Sequence, residues 1–358
     1  MSNKDLQRRT WHSTEYVGMG VLILLMFGLL AAPQWMGGLF DAMFRRALPI
    51  VATVFLTGLV GTAIIVSVMT GRILERLGLT DALMRVFVPI VGRMGIHSAV
   101  VIPGVYNILG DINAAGRIAG PVLKNAGATR DEQKIAIATM VQSQQSFSTF
   151  MLGLIAMTAA GISAFPVILL GVFGPLVVMP FILKHTIYRN TKAVTLAEIP
   201  RFTPTTKGVL PTIFGGAKEG AELLFLLIIP AVAVVFAFIG ALEYMGVWQP
   251  INNALVAGLS ALRIDPETGI VAILASPTVA MGNLIKTAAE LDPRLVVGSF
   301  VLAASGFPLS VVLGQIPTIW AGVSDLTERE ALEAAVVGIV FRVATAALLA
   351  IALTPLVI

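Results

Sequence analysis

The chain has 358 residues, of which 57% are hydrophobic and 12% charged, with a mean hydropathy of +0.90. A soluble domain averages about 45–50% apolar and about 25% charged residues, so an ordinary water-facing shell is excluded and a bilayer is the solvent that fits. Absence of cysteine excludes disulfide and thiolate chemistry, the histidines His12, His97 and His185 lack ligand spacing, and a net charge of +4 reads as basic loops rather than nucleic-acid binding.

In chain order, the basic start with Lys4, Arg8 and Arg9 leads into an apolar run over 17–36. Trp35 follows it where a signal peptide would place small residues, so a retained transmembrane helix is expected. A second run covers 47–70. Segment 71–95 is amphipathic, as in helices that lie in the interface plane. Residues 97–110 are apolar but well short of the ~20 that a span needs. They meet Gly110-Asp111-Ile112-Asn113 and a second short helix. This pattern predicts a re-entrant hairpin over about 98–124. Spans over 135–160 and 164–183 follow. Pro200, Pro204 and Pro211 then predict an irregular cytoplasmic linker over 184–218. Beyond it come a span over 220–242 and an amphipathic segment over 243–264. A second hairpin is expected over about 268–290, with Ser276-Pro277-Thr278 at its tip, and then spans over 295–322 and 331–357.

The order span, surface helix, hairpin, span, span therefore occurs twice. A shift of 168 residues sets Glu75 on Glu243 and Gly78 on Gly246. The reading is a segment 1–46 holding the cytoplasmic N-terminus and first transmembrane helix, repeat 1 over 47–183, the linker, and repeat 2 over 219–358. Of the 24 Lys and Arg residues, 18 fall on one side if the N-terminus is inside. Arg45, Arg46, Arg263, Lys286 and Arg294 fall on the other, and Arg342 lies within the last span. That asymmetry places the N-terminus in the cytoplasm and the C-terminus outside a bacterial inner membrane. Each repeat crosses three times, so the second is inverted and the hairpin tips are expected to meet near the midplane. The predicted fold is an all-α polytopic membrane protein built from inverted repeats plus one N-terminal span.

Three segments carry a family resemblance: Arg46-Ala-Leu-Pro through Gly78-Leu, Gly110-Asp-Ile-Asn-Ala-Ala-Gly116, and Gly216-Ala-Lys-Glu-Gly-Ala through Pro230. Over roughly 46–357 the chain resembles the Gate, or nucleoside-recognition, superfamily. That group includes concentrative nucleoside transporters, the gate regions of ferrous-iron transporters and spore-maturation-type membrane proteins. The resemblance implies a concentrative-transporter-like core. Nucleoside transporters carry a Gln-Thr-Glu-type motif in the first hairpin and a Glu in the second. Here those tips read Gly110-Asp111-Ile112-Asn113 and Ser276-Pro277-Thr278. The G domain and cysteines of the ferrous-iron transporters are absent.

Asp111 is the leading candidate for chemistry. An ionisable group at membrane depth costs ~2.5–3.5 kcal/mol on the insertion scale, so it needs a partner or a role. It can bind substrate, carry a proton, or cap the second arm of its hairpin. Asn113 adds a donor and an acceptor within one turn. The polar run Gln142, Ser143, Gln144, Gln145 and Ser146 lies inside an apolar stretch and must be enclosed by protein or broken. In the second half, Ser276, Thr278, Asn283, Ser305 and Ser310 occupy matching places, and Pro308 removes a helix hydrogen bond. Substrate contacts are expected from Asp111, Asn113, Gln142, Gln144, Gln145, Ser276, Thr278, Asn283, Ser305 and Ser310. A Na⁺ site is expected from Asn113, Ser143 and Ser146. Arg342 is expected to pair with a carboxylate or to snorkel, and Glu219 and Glu222 to be first-turn acids of their helix.

No phosphate loop and no nucleophile–base pair appear, so neither ATP-driven transport nor enzymatic catalysis is expected within this chain. The expected function is secondary transport of a small polar, nucleoside-like metabolite by alternating access, coupled to Na⁺ or H⁺. Na⁺ as coupling ion is the sole cofactor expected. The expected partners are the lipid bilayer, the small-molecule substrate and further copies of the chain in a homo-oligomer, with no nucleic acid. The alternative is a non-transporting Gate-domain protein acting in assembly.

Overall fold

The computed structural model describes residues 11–110, 112–143, 146–194, 201–203, 208–305 and 308–358. All regular structure among these residues is helical. Helix α1 (Ser13–Ala31) has no buried residue, so an apolar helix stands clear of the rest of the fold, as lipid contact requires. Pro33 then opens α2 (Pro33–Leu56), where its missing N–H costs nothing. A 50° bend separates α2 from α3 (Leu59–Arg76). The amphipathic α4 (Leu79–Gly92) buries Met84, Phe87, Val88 and Val91.

The first hairpin has arms α5 (Ser98–Leu109) and α6 (Ile112–Asn125). Two short helices follow, α7 (Arg130–Gln142) and α8 (Phe147–Ala159), and then the long α9 (Ala164–Thr186). The second half runs through the long α10 (Val209–Tyr244), the amphipathic α11 (Trp248–Ala261) and the hairpin arms α12 (Pro266–Leu274) and α13 (Pro277–Thr287). It ends with the short pair α14 (Pro293–Ala303) and α15 (Val311–Val323) and the long α16 (Glu328–Leu356).

Short helix pairs, α5–α6 and α12–α13, thus occupy the segments read as hairpins. Of the seven runs read as spans, not all form one helix long enough to cross. Among the described residues, α1, α9, α10 and α16 are each long and apolar enough to cross a membrane, and the α2–α3 pair passes the same test only when its two bent helices are taken together. The spans read over 135–160 and 295–322 are each two helices too short to cross alone. The first pair ends its leading helix at Gln142 and resumes at Phe147, and the second ends at Ala303 and resumes at Val311. The linker also ends earlier than expected, because α10 begins at Val209. Pro211 lies in its first turn, where a helix tolerates proline.

Four stretches of wide, π-type turns each end two residues before a proline: Leu169–Phe173 before Pro175, Leu223–Ile228 before Pro230, Val311–Gln315 before Pro317, and Leu349–Leu353 before Pro355. Proline offers no N–H and its ring crowds the carbonyl four residues back, which favours a widened preceding turn.

Helix α10 packs along α3 with its first half and along α2 with its second. Small residues allow the close approach: a Cβ on Gly220 would lie 2.8 Å from the Ile65 Cα, and one on Gly240 would lie 2.5 Å from the Ala42 carbonyl oxygen. At the base of the first hairpin the buried Glu132 carboxylate accepts from the backbone N–H groups of His97, Thr129 and Lys192, each at 2.8 Å. That base also holds the end of α9, since Lys184 donates to the carbonyls of Met94 and Gly95.

Candidate functional site

Four chain breaks converge on one cavity of about 120 Å³. The first hairpin supplies Ile112 and Asn113, and the α7–α8 break supplies Ser146, Ser148 and Thr149. The second hairpin contributes Ala275, Ser276, Pro277 and Thr278, and the α14–α15 break contributes Pro308, Ser310, Val311 and Gln315. An apolar wall comes from the widened stretch of α10, at Leu223, Leu227 and Ile228. Helices end at these points because the sequence places glycine, serine or proline there, so backbone groups at membrane depth face protein or a cavity instead of lipid.

The lining is neutral and polar on one side and apolar on the other. No Asp, Glu, Lys or Arg stands among the described lining residues. Hydroxyl groups form a connected chain. Ser146 Oγ lies 2.7 Å from Ser148 Oγ and 3.3 Å from Thr149 Oγ1. Thr278 Oγ1 on the second hairpin lies 3.2 Å from Ser148 Oγ and 3.0 Å from Thr149 Oγ1. Ser146 is a non-glycine residue held at φ 65°, a strained conformation that tends to persist at functional sites.

Vestibules adjoin this cavity toward both ends of α10. One, of about 240 Å³, shares Ser146, Ser148 and Leu223 with it and is bordered by Leu109, Gly110, Arg72, Glu219 and Glu222. The other, of about 390 Å³, shares Ala275 and is bordered by Arg46, Trp248, Glu267 and Asn283. Glu219 and Glu243 are separated by about 36 Å along α10 at 1.5 Å per residue, so the two vestibules lie at opposite ends. An Arg–Glu pair stands at each. Arg72 donates to Glu219 and to Glu75, the latter at 2.5 Å, and Arg46 lies 3.4 Å from Glu243. The expectation that Glu219 is a first-turn acid is therefore corrected: α10 starts ten residues earlier, at Val209, and Glu219 is an interhelical ion-pair partner.

The structure divides the residues named from sequence. Asn113, Ser146, Ser276, Thr278 and Ser310 line the central cavity, whereas Asn283 lines the vestibule beside Arg46. Ser143 and Ser305 are fully buried and donate back to their own helix ends, to Met140 O and Leu302 O, each at 2.7 Å. Asn107 Nδ2 also approaches Ser143 Oγ at 3.4 Å. Gln142 is fully buried, its carboxamide has no partner among the described residues, and its backbone carbonyl accepts from Arg342. Asp111, Gln144 and Gln145 lie outside the described residues. Arg342 neither pairs with a carboxylate among the described residues nor snorkels; it is fully buried and bonds three backbone carbonyls. Asn107 and the Arg72–Glu219 pair are absent from the residues expected. An asparagine three positions before a glycine tip was the available signal for Asn107. Among the described residues no group of three or more His, Cys, Asp or Glu side chains could hold a metal.

No protein-family model matches the chain, and no curated protein matches it. Among solved structures, the concentrative nucleoside transporter CNTnw in an inward-facing, substrate-bound state aligns with a TM-score of 0.59 at 14% identity, over 94% of this chain and 85% of that one. A doubly substituted CNTnw in an outward-facing state gives 0.60 at 15% identity, again over 94% and 85%. A second such variant in an outward-facing state gives 0.59 at 13%, over 94% and 84%. At such low identity the likeness establishes the fold: this chain is an all-helical protein with the fold of a concentrative nucleoside transporter.

Proposed function

We propose that the chain is a secondary transporter, of the Gate superfamily, that moves a small polar metabolite across a bacterial inner membrane by alternating access. The observation that carries this reading is the convergence of four chain breaks on a polar cavity flanked by vestibules at opposite ends of α10. A protein that uses this fold only for assembly has no need of eight polar side chains around a central void and gains stability by filling it with apolar ones. The repeats are inverted in this reading, with the N-terminus in the cytoplasm, the C-terminus outside and the hairpins entering from opposite faces. In this reading transport is coupled to Na⁺ or H⁺ near Asn113 and Ser146, with Asp111 as the candidate carboxylate by its sequence position. The neutral lining at Ser276, Thr278, Ser310 and Gln315 suits a hydroxyl-bearing or amide-bearing solute. Nucleosides are the first class to test.

The test is a thermal-shift screen of the purified protein against nucleosides, bases, amino acids and carboxylates, with and without Na⁺, followed by uptake into proteoliposomes. A ligand that binds the folded state raises the melting temperature by mass action. A stabilising ligand that is also accumulated is the expected result. Absence of both from every class in the screen would overturn the reading in favour of assembly.

A further inference from the structure

Arg342 lies in α16 with none of its surface exposed. Among the described residues its guanidinium donates only to backbone carbonyls: Nη1 to Gln142 O at 2.7 Å and Gly171 O at 2.6 Å, and Nη2 to Ala304 O at 2.6 Å. Burying a charge without a counter-charge is costly, so something must offset it.

The three carbonyls explain the arrangement. Pro175 stands four residues after Gly171, and Pro308 stands four residues after Ala304. Neither proline has an N–H to give the carbonyl that a helix would pair with it. Gln142 closes α7 just before the break, where Ser146 is held at φ 65°. Each carbonyl has therefore lost its ordinary helical donor, and an unpaired carbonyl at this depth costs several kcal/mol. Gln142 and Ala304 also mark the C-terminal ends of α7 and α14. A helix end carries roughly half a negative charge, so the two together offset about one guanidinium.

We propose that Arg342 is a built-in cation. It sits between the ends of two broken spans, one from each half of the chain, in the kind of place where broken-helix transporters hold a mobile cation. It joins α7, α9, α14 and α16 into one block. As a positioning residue it fixes the two breaks that frame the cavity, without touching the cavity itself. On the transport reading, a consequence follows for coupling: with a fixed charge already at these helix ends, the coupling cation binds on the cavity side of the breaks.

The test compares Arg342→Lys with Arg342→Met in the purified full-length protein. Lysine keeps the charge and offers three donors, whereas methionine fills similar space without either. Arg342→Lys is expected to keep its folded yield and to melt close to the wild type. Arg342→Met is expected to lose folded yield or to melt roughly 10 °C lower. Methionine matching or exceeding lysine would overturn the proposal, because the side chain would then act only as filling. Failure of both variants to fold would also overturn it, by assigning the role to the guanidinium fork rather than to its charge. Melting is read without substrate, so this result is independent of the uptake result.

Discussion

Thr149 at the start of α8 and Thr278 at the start of α13 share a hydrogen bond, Oγ1 to Oγ1 at 3.0 Å. The bond ties the broken span of the first half to the hairpin tip of the second, directly on the cavity wall. Thr278→Val keeps the shape and removes the hydroxyl. Interhelical hydroxyl bonds at membrane depth average ~0.6 kcal/mol and reach ~1.7, so stability is expected to fall by about 1 kcal/mol. A hydroxyl that also bonds substrate adds an affinity term, so half-saturating substrate is expected to rise about tenfold. Uptake kinetics in proteoliposomes, read beside a melting curve, check both; unchanged kinetics with a lowered melting temperature would leave Thr278 as scaffold only.

The short helix pairs α5–α6 and α12–α13 were legible because a short apolar run that stops at glycine, serine or proline cannot cross a bilayer alone. The start of α2 was not legible, since Asp41, Arg45 and Arg46 interrupt the hydropathy after Trp35. In the fold these charges are partnered, Arg45 with Asp41 and Arg46 with Glu243. The start of α10 was hidden in the same way, because Lys218, Glu219 and Glu222 look like a loop until Arg72 appears across the helix pair. Within the polar runs, sequence cannot tell a hydroxyl that faces the cavity from one that turns back on its own helix end. Ser146 and Ser143 are three residues apart and differ in this respect, as do Ser310 and Ser305.

Asp111 carries the second prediction, on sequence grounds. It is a carboxylate at a hairpin tip, and asparagine caps a helix about as well as aspartate does. Asp111→Asn is expected to reduce uptake by at least tenfold while folded yield stays near the wild type, since neutralising a charged group that binds substrate or carries a proton removes its function. Full uptake by this variant in proteoliposomes would return Asp111 to a capping role.

Arg72 gives the third. It bridges Glu75 on its own helix and Glu219 on α10, with side chains 32% exposed for Arg72 and 46% for Glu219. That exposure screens the pair, so Glu219→Gln is expected to cost about 1 kcal/mol rather than the larger value of a dry ion pair. The difference from wild type should shrink in high salt. Uptake should survive, because both partners belong to the α3–α10 pair and neither lines the central cavity. Intact melting with abolished uptake would instead place Glu219 on the substrate path.

The last prediction separates the coupling ions. Na⁺ is expected over H⁺, because hydroxyl and amide oxygens suit a hard cation and Ser146, Ser148 and Thr149 supply them at the cavity. Ser146→Ala is therefore expected to raise the Na⁺ concentration for half-maximal uptake several-fold. Ser143 turns its hydroxyl to Met140 O and lies away from the cavity lining. Ser143→Ala should leave the Na⁺ requirement unchanged and lower stability by about 1 kcal/mol, the net worth of one buried hydrogen bond. Na⁺ should also raise the melting temperature of the wild type above that in LiCl or KCl at matched ionic strength, since only a bound ion stabilises by mass action. Equal melting in the three salts, together with uptake driven by a pH gradient alone, would assign the coupling to H⁺ and leave Asp111 as the carrier.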